Sequence, residues 1–86
     1  MAASEDLRAL GRRFADRLPA ARLELALGYV DFGEESLALE MLCDHLCGEV
    51  VPLSRDEYDD IMRVNKSMNP RLSARMVESL KTLASF

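Results

Sequence analysis

Apolar residues recur along this chain with a period near 3.6, and no alternating segment of useful length interrupts them. The first such stretch predicts a helix over 4–17. Ser4 can cap it, Glu5 and Asp6 suit its positive end, and Leu7, Leu10, Phe14 and Leu18 line one side. Pro19 stops that helix or opens the next, which runs over 19–32 with Leu23, Leu27 and Val30 on one side. Gly33 then reads as a helix C-terminal residue in the left-handed conformation.

The stretch over 34–47 is the most informative. On a helical wheel Leu37, Ala38, Leu39, Met41, Leu42, Cys43 and Leu46 cover roughly two-thirds of the circumference. A helix apolar over that arc is packed by several others, so it is expected at the centre. Its narrow polar strip holds Glu40 and Asp44, with Cys47 at the edge, and Gly48 is expected to end it.

A connector, 50–53, leads to Ser54-Arg55-Asp56-Glu57, a capping box with Leu53 and Tyr58 placed as a hydrophobic staple. The fourth helix is expected to continue to Met68, burying Tyr58, Ile61, Met62, Asn65 and Met68. A fifth would start from Asn69 as cap, with Pro70 in its first turn and Leu72, Met76, Leu80 and Leu83 inward. The expected fold class is all-α: one domain over 1–86, a compact bundle of four to five helices around a central third helix.

Composition agrees with that picture. The chain has 86 residues, 49 % apolar and 30 % charged, a globular balance. Its apolar runs are too short to span a membrane, and its start lacks a basic segment followed by an apolar one, so no signal peptide is read there. Cys43 and Cys47, four apart on a helix, have Cβ atoms ~5–6 Å apart, too far for a disulfide. Reduced thiols in a cytoplasmic protein are the simpler account. The five methionines, Met1, Met41, Met62, Met68 and Met76, read as core filler.

Charge changes the picture. Ten of the fifteen acidic residues lie between Asp31 and Asp60, where Arg55 is the single base, so that third carries −9. The first thirty residues carry +1 and the last twenty-six +4. Some of the acids are ordinary. Glu34, Glu35, Asp56 and Glu57 fall in helix first turns, and Asp59 can pair with Arg63 four residues on. The like-charge pairs Glu40/Asp44 and Asp56/Asp60 have no such local reason. An acidic face without interspersed bases suits a basic protein partner, whereas the net charge of −4 disfavours direct nucleic-acid binding. Arg8, Arg12, Arg13 and Arg17 read as a solvated helix face.

Other chemistry has thin support. Cys43, His45 and Cys47 invite a metal reading, but His45 points about 160° from the midpoint between the thiols, and no second ligand pair completes a zinc site. His45 instead falls in the apolar arc, as a core histidine with one satisfied nitrogen. No nucleophile with a base close in sequence and no Gly-rich phosphate loop is present. Neither catalysis nor a cofactor is expected.

The segment from Tyr29 to Leu46, followed by Pro52 to Tyr58, resembles the MafI family of immunity proteins. The match rests on Gly33-Glu34 at a helix start, Leu37 to Glu40 and Leu42 to Asp44 within that helix, Pro52 to Ser54 with Glu57 and Tyr58 after them, and Met68 in a later helix. It covers about residues 18 to 68 and departs at Cys47-Gly48 and in a longer basic C-terminal helix. The resemblance implies an intracellular protein that binds and neutralises a cognate polymorphic toxin, many of which attack nucleic acid with basic clefts. It implies a 1:1 protein complex without turnover, and no membrane partner. The expected contact set is Glu34, Glu35, Glu40, Asp44, Asp56, Asp59 and Asp60, with Tyr29, Phe32 and Tyr58 as anchors where exposed. A helical adaptor for some other basic protein is the alternative.

Overall fold

A computed structural model describes residues 3–85; Met1 lies outside them. The described residues form five α-helices and no strand: α1 (Ala3–Arg12), α2 (Ala20–Gly28), α3 (Glu35–Gly48), α4 (Arg55–Asn65) and α5 (Ala74–Leu83). A 3₁₀ turn, Tyr29–Phe32, prolongs α2. The all-α bundle is as expected.

The third helix is central. It packs against α1, α2 and α5, while α4 packs on α1. Ala38, Leu39, Leu42, Cys43 and Leu46 of α3 are fully buried, and Leu37 and Met41 are half-buried at the margin of the arc. Leu7, Leu10 and Phe14 meet this core from the first segment, Ile61 and Val64 from α4, and Leu80 from α5. The radius of gyration is 11.5 Å, close to the ~12 Å expected of a compact chain this long. No helix among the described residues is long and apolar enough to cross a membrane.

Three boundaries differ from the sequence reading, and the simplest is that α4 ends at Asn65 and not at Met68. The first helix ends at Arg12, and residues 13–17 tighten into i→i+3 turns, with Phe14 N donating to Gly11 O at 3.0 Å and Arg17 N to Phe14 O at 2.9 Å. Tightening of this kind shifts the face each residue presents. Phe14 and Leu18 both reach the core, and Arg17 comes over α4.

The fifth helix starts at Ala74, not at Asn69. Its cap is Ser73, whose hydroxyl accepts from Met76 N at 3.1 Å. Tertiary bonds hold the preceding segment out of helical conformation. Asn69 N donates to Ser36 Oγ at 3.1 Å, and Leu72 N donates to Asn65 Oδ1 at 2.8 Å.

Gly48 ends α3, as expected. It is the last helical residue, and the left-handed position falls two residues later on Val50, at φ 50°.

The capping box is present in full. Ser54 Oγ accepts from Glu57 N at 3.1 Å, and Glu57 Oε1 accepts from Ser54 N at 2.9 Å. Leu53 and Tyr58 are both buried, as a staple requires. His45 is buried too, and its Nε2 has no hydrogen-bond partner among the described residues.

Candidate partner-binding face

The fold pairs four acids of the middle third with arginines from elsewhere in the chain and a fifth, Asp59, with its own Arg55, and leaves the other five without an ion pair among the described residues. Arg8 binds Asp31. Arg13 Nη1 lies 3.1 Å from Asp60 Oδ2, and Arg22 Nε 3.5 Å from Glu49 Oε2. Arg17 makes a two-pronged pair with Glu57, Nη1 donating to Oε1 at 3.1 Å while Nη2 engages Oε2, and its guanidinium sits 5.0 Å from the centre of the Phe14 ring. Arg8, Arg13 and Arg17 are therefore not simply a solvated helix face. They are folded onto acidic partners 23 to 47 residues away.

The expected Asp59–Arg63 pair is replaced. Arg63 turns toward α1 and binds Asp60 through Nη2 at 2.7 Å, with Asp6 3.9 Å away, while Asp59 takes Arg55 Nε at 3.3 Å. Asp60 is thereby half-buried between two arginines. Burial alone would push its carboxyl up, but hydrogen bonds from Arg63 and Arg13 outweigh this and hold it below the ordinary value. Hydrogen bonding from Arg17 lowers Glu57 further, to about 2, against the opposing effect of burial.

Of the seven expected contact residues, Asp59 and Asp60 thus have internal partners. Glu34, Glu35, Glu40, Asp44 and Asp56 have no ion pair among the described residues. Asp56 is exposed in the first turn of α4. The other four belong to α3 or, for Glu34, to the residue before it. Glu40 and Asp44 stand exposed one turn apart, Glu34 is exposed, and Glu35 is half-buried.

Phe32 lies two residues ahead of this strip, 82 % exposed. Tyr29 is half-buried, and Tyr58, at 8 %, is in the core and unavailable as an anchor. Leu25 and Val50 are exposed apolar residues that the sequence reading missed, because helical periodicity alone does not say which marginal residue the neighbouring helix leaves uncovered.

Cys43 and Cys47 are both free thiols. Burial pushes both thiols up, Cys43 most strongly, so neither has the character of a reactive thiolate. Among the described residues no group of three or more His, Cys, Asp or Glu side chains is arranged to hold a metal ion. Compared with protein-family models, curated proteins and solved structures, the chain matches none.

Proposed function

We propose that this chain is a bacterial cytoplasmic immunity protein that binds a cognate polymorphic toxin 1:1 and covers the toxin's basic, nucleic-acid-handling cleft. One observation carries the reading. Among the ten acids between Asp31 and Asp60, five have partners inside the fold, and four of the remaining five are gathered on or beside α3. Unpaired like charges one turn apart destabilise a helix slightly, and a basic partner gives them a purpose. Complementary charge would raise the association rate, while Phe32 is an exposed aromatic of the kind that supplies affinity. The resemblance to MafI immunity proteins names the same kind of partner. No turnover is involved in this reading, since stoichiometric cover is sufficient to exclude substrate.

Co-expression with the toxin domain encoded beside this gene, in a sensitive host, tests the proposal. Rescue together with a stable 1:1 complex on co-purification is expected. Absence of rescue overturns it and moves the acidic face to an adaptor role for another basic protein.

A further inference from the structure

A cleft of about 510 Å³ opens between the N-terminal half of α3 and the segment 69–73 that leads into α5. That volume is within the ~300–1,000 Å³ range of sites that take small ligands or side chains. Its apolar lining includes Leu37, Pro70, Leu72 and Met76, and Glu34, Glu35 and Glu40 also line it. Arg71 on the far wall is bound to the Lys66 carbonyl at 3.2 Å, and no ion pair among the described residues crosses the cleft.

The walls are tied together. Ser36 of α3 accepts from Asn69 N across the cleft, and Asn65 at the end of α4 accepts from Leu72 N and so fixes the far wall. A cleft held open by such bonds costs little to order on binding.

An apolar floor lined by three glutamates against one arginine selects a side chain with an apolar stem and a cationic head. Arginine fits best, because a guanidinium is weakly hydrated, tolerates apolar contact and binds carboxylates through two parallel hydrogen bonds. We propose that this cleft receives an arginine from an exposed segment of the protein partner, its stem on Leu37, Leu72 and Met76 and its head between Glu35 and Glu40. The inference rests on the reading of the partner as a basic protein. It narrows that reading, since the contact centre becomes the α3–α5 cleft and excludes the internally paired Asp59 and Asp60.

The test needs no toxin. Amide chemical shifts of the intact chain would be followed by NMR against a short blocked peptide carrying two arginines, at millimolar concentration. The comparison peptides carry citrulline or glutamate in place of both arginines. Shifts confined to residues 33–40 and 69–76 are expected with the arginine peptide alone, fading as salt is raised. E35Q/E40Q, which leaves the volume unchanged, should weaken that binding about threefold to tenfold. Equal response to citrulline, response to glutamate, shifts centred elsewhere or no shifts would each overturn the proposal. A cleft that takes arginine in a protein that rescues no host would remove the immunity reading and leave this one standing. Rescue with a silent cleft would do the reverse.

Discussion

Gly33 and Val50 hold the same position in two copies of one helix-ending motif. At the first, Gly33 N donates to Val30 O at 3.1 Å and Glu34 N to Tyr29 O at 3.0 Å, with Gly33 at φ 73°. At the second, Val50 N donates to Cys47 O at 3.1 Å and Val51 N to Leu46 O at 3.0 Å, with Val50 at φ 50°. This crossed pair of bonds satisfies carbonyls that a helix end leaves open, and it needs a left-handed residue. Glycine takes that conformation freely, whereas a β-branched residue there is strained by roughly 1–2 kcal/mol.

Val50→Gly should therefore stabilise the fold. Val50 is 70 % exposed, so little burial is lost. Greater freedom of glycine in the unfolded chain offsets part of the relief, leaving a gain of about 0.5–1 kcal/mol. The reverse change, Gly33→Val, meets no steric clash and should destabilise on the same reasoning by about 0.5–1 kcal/mol. Thermal unfolding of the two variants checks both signs, and a lower melting temperature for Val50→Gly would refute the strain.

Glu57 links stability to pH. Its carboxyl is held at about 2 in the folded state, chiefly by hydrogen bonding from Arg17. In the unfolded chain it returns to the ordinary range, ~4.3. The folded value is the lower one, so the contribution is complete above about pH 4.5 and is lost as pH falls toward 2. Discounted for solvent screening at Arg17, whose side chain is 34 % exposed, it amounts to about 2 kcal/mol. Glu57→Gln should lose about that much at pH 7 and little at pH 2.5. Urea denaturation at the two pH values measures the difference, and an equal loss at both would show that the pair does not act through charge.

The two serine caps should differ in worth. Ser54 belongs to a reciprocal box whose glutamate also holds Arg17, while Ser73 makes one bond, to Met76 N. Ser54→Ala is expected to cost about 1–2 kcal/mol and Ser73→Ala about 0.5–1 kcal/mol, with melting temperatures falling in the same order.

What the sequence made legible is local. Helical period, the Ser54–Glu57 box and the left-handed Gly33 depend on residues within a turn or two of one another, and all three are present as read. The start of α5 was hidden because Asn69-Pro70 satisfies the same local rule as Ser73. What decides between them is Ser36, 33 residues away, and the side chain of Asn65. Which acids of the excess are paired inside the fold was hidden in the same way. Whether Asp60 is a contact residue or an internal one depends on Arg13, 47 residues away, which no spacing rule connects to it. The cleft joins α3 to the segment 69–73, so it depends on that segment being held out of α5.

Charge reversal separates the free acids from the paired ones. Glu40 and Asp44 are exposed and without ion pairs among the described residues, so reversing both to Lys should change stability by no more than about 0.5 kcal/mol. With a basic partner the double variant should bind more slowly, with a weaker salt dependence and a smaller effect on dissociation. Asp60→Lys should behave in the opposite way. It places a third cation beside Arg13 and Arg63 at a half-buried site, and should destabilise the chain by about 1–3 kcal/mol. Stopped-flow association rates at two ionic strengths, read beside melting temperatures, measure all of these quantities. Unchanged association in the Glu40/Asp44 variant would remove that strip from the interface, and a stable Asp60→Lys variant would remove the internal role given to Asp60.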